Sequence, residues 1–311
     1  MMNTDIDESV EQITIPVFPT DLHSGYDHSH RNLEFINDED IKIAIMYYKL
    51  NDEPDVLVYS HGNGSDIGDS NEYLSKLAYS IGINIITYDY LGYGLSSDTK
   101  IGDNATKPSE QGCMRAIDAV FKYLLSKGSE PKHIILYGAS LGSGPTVELA
   151  SRIPDLKGII LQTPFVNFGS FRSDLAIKNV MCSVTIIHGK KDKIIPYSHA
   201  VHLYNILLKR DKNKKVKFLT IDDISHTHNN IYCYEEIIVP AIIEIIDPKI
   251  DSADLVDSMD PKIPKFVEHT CIQCYKKFIR ENSVLQSNFA AITRCDQCYR
   301  CPCGSYFSSQ Y

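Results

Sequence analysis

Short, unbroken runs of Ile, Leu and Val alternate with amphipathic segments over most of the first 250 residues. The runs have the length and composition of buried strands, whereas the segments between them place apolar residues at the spacing of one helix face. Strands that are apolar on both faces are typical of parallel sheets covered by helices on both sides. The sequence therefore predicts an α/β fold built on a mainly parallel sheet. The expected strands are 41–48, 56–60, 83–88, 133–137, 158–162, 184–187 and 216–221, and the expected helices are 71–81, 110–127, one from about 141, 198–209 and 231–246.

The composition excludes several classes of protein. With 43% hydrophobic and 23% charged residues in 311, the chain can bury a sizeable core. Its net charge of −9 argues against general nucleic-acid binding, which draws on clustered Lys and Arg. The N-terminus is acidic where a secretory signal would be basic, and the longest apolar stretch, 237–246, is shorter than the ~20 residues that span a bilayer. We expect a cytoplasmic protein without a transmembrane segment.

A possible nucleophile follows the strand expected at 133–137. Residues 138–142 spell Gly-Ala-Ser-Leu-Gly, a G-x-S-x-G motif between a strand and a helix. A Gly-rich turn of this kind also recurs by chance, but the strand before it and the helix after it favour a catalytic role. Small residues on either side would let the turn raise the hydroxyl of Ser140 above the sheet. The pattern predicts Ser140 as a nucleophile.

A serine nucleophile needs a base and a carboxylate that orients the base. Asp192 follows the strand expected at 184–187, where an acid would face the carboxyl ends of the strands. It is also flanked by lysines, as a solvated aspartate would be, but the strand context favours the catalytic role. Asp89, Asp222 and Asp223 are weaker candidates.

The base is expected after the strand at 216–221. His226 and His228 both lie there, and their spacing alone does not decide between them. The pair could also form half of a metal site, although no carboxylate or cysteine follows at a useful spacing.

The oxyanion hole needs two N–H donors, one after the nucleophile and one from the loop after an earlier strand. Leu141 and Asn63 occupy these positions, because residues 61–64, His-Gly-Asn-Gly, directly follow the strand expected at 56–60. We interpret His61 as a structural, hydrogen-bonded residue.

The set Ser140, Asp192 and His228, with His-Gly-Asn-Gly-Ser-Asp at 61–66 and Tyr-Asp-Tyr-Leu-Gly-Tyr-Gly-Leu-Ser at 88–96, resembles the α/β-hydrolase superfamily. Within it, the chain is most similar to the α/β-hydrolase domain proteins 17, which are protein depalmitoylases, over about residues 12–247. The resemblance implies an α/β-hydrolase fold and a serine hydrolase. It also selects His228 as the base, since that branch carries its histidine in a Gly-x-Gly-His-Asn-Asp context.

The chain departs from that branch in two places. The branch has an N-terminal cysteine cluster for its own lipidation, whereas the first cysteine here is Cys113, so membrane anchoring by that route is not expected. Only about twenty residues separate the strands expected at 158–162 and 184–187. The cap that shapes the acyl pocket in many relatives is therefore expected to be short or missing.

Cysteines divide the chain into unequal parts, which we interpret as a hydrolase domain (1–250), a Pro-containing linker (251–264) and a cysteine-rich module (265–311). Two CxxC pairs twenty residues apart match a four-cysteine zinc ribbon, and a reducing compartment makes metal binding likelier than disulfides. Unliganded cysteines or a redox CxxC fit the pattern less well. Cys301, Cys303 and His269 are alternative ligands. The expected ligands are Cys271, Cys274, Cys295 and Cys298.

These patterns predict a serine hydrolase of the carboxylesterase or thioesterase class (EC 3.1), acting on an acyl ester or thioester through an acyl-enzyme. Catalysis would need no cofactor, and zinc would be structural. The cysteine-rich module would contact an unknown protein. The alternative is a catalytically vestigial scaffold whose zinc module binds protein or nucleic acid.

Overall fold

A computed structural model describes residues 13, 18, 24–101, 106–210, 215–222 and 235–249. The strands are β1 (Leu33–Asp38), β2 (Ile41–Tyr48), β3 (Val56–Ser60), β4 (Asn84–Tyr88), β5 (Ser97–Asp98), β6 (Ile134–Ala139), β7 (Gly158–Gln162), β8 (Asn167–Phe168), β9 (Phe171–Arg172), β10 (Ser183–Gly189) and β11 (Val216–Ile221). The helices are α1 (Ile67–Ile81), α2 (Glu110–Ser126), α3 (Ser143–Arg152), α4 (Ser173–Ala176), α5 (Tyr197–Leu207) and α6 (Glu235–Ile246). Among these helices, none combines the length and apolar character needed to cross a membrane.

Nine strands of the described chain form one sheet, with the order β1-β2-β4-β3-β6-β7-β10-β11 and β5 paired to β2. The pairs β1·β2 and β2·β4 are antiparallel, and every neighbouring pair from β4 to β11 in that order is parallel. The expectation of a mainly parallel sheet is confirmed. The carboxyl ends of β3, β6 and β10 consequently lie at one edge, where ligand sites of such sheets form.

Helices cover both faces of this sheet. On β3, Val56 and Val58 pack into a cluster with α2, α3 and α5, whereas Leu57 and Tyr59 pack into a second cluster with α1 and α6. Successive side chains of a strand point to opposite faces, so each apolar run fills both clusters. This is why central strands such as β3 and β7 consist mainly of apolar residues.

Helix α1 begins four residues before the expected start at 71. Asp66 caps it, because its Oδ1 accepts the N–H groups of Gly68 and Asp69 at 2.9 and 3.1 Å, and Asp69 Oδ2 accepts the N–H of Asp66 in return. Apolar periodicity is weak in this first turn, so the expectation missed it and the capping box was the signal that could have located it.

The connection between β7 and β10 is short, as expected from the sequence. It contains only the β8–β9 hairpin, the four-residue helix α4 and a single turn at Ile177–Asn179. Phe165 and Phe171 pack against the start of α3, where a Cβ on Gly144 would lie 2.9 Å from atoms of both rings. The cap is therefore a small apolar cover beside the helix that follows Ser140.

Candidate active site

Ser140 lies on a sharp turn between β6 and α3. Its φ is +52°, in the left-handed region that residues other than glycine rarely occupy, and a short turn over Ser140–Gly142 leads directly into α3. Backbone strain of this kind costs ~1–3 kcal/mol and clusters at functional sites. The turn places Ser140, which is partly exposed, at the carboxyl end of the sheet.

Two glycines make this turn sterically feasible. A Cβ on Gly138 would lie 2.4 Å from the carbonyl oxygen of Gly142, and a Cβ on Gly142 would lie 2.1 Å from the carbonyl oxygen of Ser60. The second contact crosses from the turn to the end of β3, whose Ser60 pairs with Gly138 in the sheet. The flanking glycines are thus required by close backbone approach on both sides of Ser140.

The loop after β3 lies against the nucleophile. A Cβ on Gly62 would be 3.7 Å from the Cβ of Ser140, and Asn63 follows at a half-buried position. Leu141, directly after the nucleophile, is fully buried at the start of the turn. The structure thus brings the loop that holds Asn63 and the turn that holds Leu141 to the same serine.

Asp192 lies in the loop after β10 and is 6% exposed. Its Oδ1 accepts the N–H groups of Ile194 and Ile195, both at 2.9 Å, and its Oδ2 lies 3.4 Å from Nε2 of His188. The carboxylate is therefore held from two sides, in an orientation set by the loop. His188 was not assigned a role from the sequence, although it directly precedes the Gly189 that ends β10.

The two competing aspartates that the structure describes, Asp89 and Asp222, have partners outside the candidate site. Asp89 is fully buried, where its Oδ1 accepts the N–H of Ile67 at the start of α1 and its Oδ2 accepts the hydroxyl of Tyr26. Asp222 has a 75% exposed side chain and pairs with Lys190 at 2.6 Å. Asp223 lies outside the described residues. Of the three, neither described one resembles an acid aimed into a catalytic site.

His226 and His228 both lie outside the described residues. The strand before them, β11, is parallel to β10 and ends with Ile221 opposite Gly189. The N–H of Lys190 also donates to the carbonyl oxygen of Ile221, at 2.9 Å. The end of β11, the last described strand before the histidines, therefore lies next to the loop that carries Asp192.

His61 is buried, in agreement with its interpretation as a structural residue. Its Nδ1 lies 2.9 Å from the carbonyl oxygen of Gly62, and its Nε2 lies 3.4 Å from Oδ1 of Asp89. The rings of Tyr90 and Tyr93 pack against the imidazole. The buried ring of His61 thus packs between the loop after β3 and the two tyrosines, which is a structural role.

The six clustered cysteines also lie outside the described residues. Of the two cysteines that the structure describes, both are buried, and burial raises the pKa of the Cys113 thiol well above its usual range. Over the described part of the chain, no group of three or more His, Cys, Asp or Glu side chains is arranged to hold a metal ion. The predicted zinc ligands remain a prediction from spacing.

Comparison with known proteins places the chain among hydrolases. Residues 52–178 match the family model "Serine aminopeptidase, S33". The "putative alpha/beta hydrolase" of Acanthamoeba polyphaga mimivirus is 33% identical over 226 residues, which cover 68% of this chain and 80% of that protein. Human alpha/beta hydrolase domain-containing protein 17C is 37% identical over 163 residues, 48% of this chain and 47% of that protein. The chain thus spans about half the length of this second relative.

Solved structures agree on the fold. An esterase from Pyrococcus furiosus superposes with a TM-score of 0.58, over 75% of this chain and 99% of that one, at 16% sequence identity. At so low an identity, the likeness is evidence of the fold alone.

Proposed function

Because the chain belongs to the α/β-hydrolase family, we propose that it is a serine hydrolase that cleaves an ester or a thioester through an acyl-enzyme intermediate. The observation that carries the proposal is the backbone of Ser140, held at positive φ between β6 and α3 by glycines on both sides. A strained, glycine-dependent turn that presents one hydroxyl at the ligand-binding edge of the sheet is explained by nucleophilic chemistry.

The proposed mechanism uses five groups from four connections, of which the turn after β6 supplies two, the hydroxyl of Ser140 and the N–H of Leu141. Ser140 attacks the acyl carbonyl while His228 accepts the serine proton, and Asp192 holds the imidazole in the orientation and tautomer that this step needs. The N–H groups of Asn63 and Leu141 stabilise the oxyanion. His228 then donates the proton to the leaving alcohol or thiol, and a water molecule releases the acid by the same steps in reverse.

The proposed substrate is an acyl group on a bulky carrier, with an acylated protein as the leading case. The support is the short cap, since a hairpin of two-residue strands and a four-residue helix cover little of the sheet edge. A long cap would restrict entry to small molecules.

We also propose that residues 265–311 bind one structural zinc ion. Four thiolates are a donor set that suits tetrahedral zinc, and they would come from Cys271, Cys274, Cys295 and Cys298. The hydrolase fold has its own core, so this module would be an accessory that contacts another protein.

Labelling with a fluorophosphonate probe tests the catalytic proposal. The full chain should be labelled once, and Ser140→Ala should abolish labelling. Ser151→Ala is the matched control, because Ser151 lies on α3, the helix that follows Ser140, and its hydroxyl donates to the carbonyl oxygen of Glu148. An unlabelled wild-type protein, or equal labelling of Ser140→Ala, would refute the proposal. A series of acyl chain lengths on nitrophenyl esters and on acyl thioesters would then define the substrate.

A further inference from the structure

The segment Tyr88–Ser96 contributes no member of the proposed triad, yet two of its tyrosines reach the loop beside the nucleophile. The hydroxyl of Tyr90 donates to the carbonyl oxygen of His61 at 2.6 Å, and the hydroxyl of Tyr93 donates to Oδ1 of Asn63 at 2.9 Å. Both tyrosines are fully buried. The loop is thus held on both sides of Gly62, the residue that lies against Ser140.

The backbone segment that carries the two tyrosines is itself held by hydrogen bonds and close packing. The hydroxyl of Ser96 donates to the carbonyl oxygen of Asp89 at 2.9 Å and accepts the N–H of Ala44 at 2.8 Å, which joins the segment to β2. Gly94 has a φ of +47°, and a Cβ there would lie 2.0 Å from Oδ2 of Asp89. The backbone after β4 therefore has little freedom, and neither does the tyrosine ring that it carries.

Burial keeps both tyrosine hydroxyls in the protonated form, which donates hydrogen bonds. Burial raises the pKa of Tyr93 well above its usual range, with further contributions from the nearby thiol of Cys113 and the carboxylate of Asp89. Burial likewise raises the pKa of Tyr90. Because a protonated hydroxyl can donate to an amide oxygen, Tyr93 is the donor in its bond to Asn63.

We propose that Tyr93 is a positioning residue of the oxyanion hole, which fixes the side chain of Asn63 and thereby the direction of its backbone N–H. The proposal rests on the proposed function and deepens it. The carbonyl of His61 cannot rotate without breaking its buried hydrogen bond to Tyr90, and the side chain of Asn63 cannot turn away without breaking its partly buried bond to Tyr93. Such a donor is oriented before the reaction begins, which is the condition under which an oxyanion hole is effective.

The chain offers a matched control for this contact. Tyr48 is also buried, and its hydroxyl donates to Oδ1 of Asn71 at the same 2.9 Å. It pairs with Ile85 near the amino end of β4, away from the carboxyl ends where the site lies. Tyr93→Phe and Tyr48→Phe therefore remove the same chemical pair, one at the site and one remote from it.

The test compares the steady-state hydrolysis of a nitrophenyl ester by the full-length variants. Tyr93→Phe should lower kcat about tenfold with KM changed by less than about twofold, a smaller loss than the ~10²–10³ for removal of an oxyanion donor. Tyr48→Phe should retain the wild-type kcat. Asn63→Ala keeps its backbone N–H but loses the bond to Tyr93, so it should match Tyr93→Phe, and the double variant should be no slower than either single one.

The possible outcomes distinguish a failure of the role assigned to Tyr93 from a failure of the proposed hydrolase function. An active wild type with an unchanged kcat in Tyr93→Phe would overturn this inference and leave the proposed function standing. Losses that multiply in the double variant would also overturn it, since Tyr93 would then not act through Asn63. A wild type that neither hydrolyses esters nor reacts with a fluorophosphonate would overturn both. If Tyr93→Phe does not fold, Asn63→Ala breaks the same bond from the half-buried side.

Discussion

Substitution of Gly142 by alanine has two opposing effects on the stability of the protein, one from the backbone conformation and one from the close contacts of the turn. Gly142 has a φ of −61° and a ψ of −17°, which alanine adopts without strain. From the backbone alone, the change should stabilise the protein by ~0.4–1 kcal/mol. The contacts predict the opposite sign, because the new Cβ would lie 2.1 Å from the carbonyl oxygen and 2.6 Å from the carbonyl carbon of Ser60.

The size of the effect follows from the shift that relieves this contact. Increasing the distance from 2.1 Å to about 3.2 Å requires the turn and the end of β3 to move apart by about 1 Å, since neither partner is a flexible side chain. Overpacking of this kind costs ~1–3 kcal/mol, which lowers the melting temperature by about 3–10 °C in a domain of this size. A displacement of about 1 Å between nucleophile and oxyanion donors costs roughly 100-fold in kcat.

The assay measures the melting temperature and kcat for an ester substrate in the same preparations. Gly64→Ala is the control, because it lies in the neighbouring loop and a Cβ there would have no atom within 4 Å. Gly64→Ala should keep both properties near wild type. A Gly142→Ala protein that is as stable and as active as wild type would refute the close approach of the turn to β3.

Four further predictions concern the proposed catalytic residues and the proposed zinc ligands. His228→Ala should lose turnover, while His226→Ala should retain most of it; the reverse result would exchange the two assignments. Asp192→Asn should lower kcat by about 10⁴ without lowering the content of folded protein measured by circular dichroism; near-wild-type activity would show that the acid is misplaced. For wild type, kcat/KM should fall as pH drops below about 6.5, because only neutral imidazole accepts the serine proton, and a flat profile down to pH 5 would contradict a histidine base. Elemental analysis of the full chain should find one zinc ion, lost in Cys271→Ser and in Cys295→Ser; a zinc content near zero would remove the metal site.

The parts of the fold that follow from local pattern were predictable from the sequence. The strands β2, β3, β7 and β11 have the expected bounds, because a strand buried on both faces requires an unbroken apolar run. The position of Ser140 was predictable for a similar reason, since only a glycine-flanked residue between strand and helix can make so tight a turn. The edge strand β1 was missed, because only one of its six residues is buried and its apolar residues are interrupted.

Contacts between distant segments were not predictable. The hydrogen bond from Tyr93 to Asn63 joins residues 30 positions apart, and the one from Tyr26 to Asp89 joins residues 63 apart. The first depends on β4 lying beside β3 in the sheet, which no local pattern states. For this reason the support of the candidate site, unlike its proposed reacting groups, became visible only in three dimensions.

The tip of the cap hairpin offers a place where substrate choice and catalysis are separable. Phe168 pairs with Phe171 across a tip of two residues, Gly169 and Ser170, and Ser170 is tied to Glu110 at the first turn of α2. Extra residues inserted at this tip would start and end at adjacent points, and each doubling of a loop adds only ~0.6 kcal/mol of closure entropy. A longer cap could therefore be inserted here without disturbing the sheet. Substrate selectivity would then change through the cap alone, while the catalytic residues on the sheet stay the same.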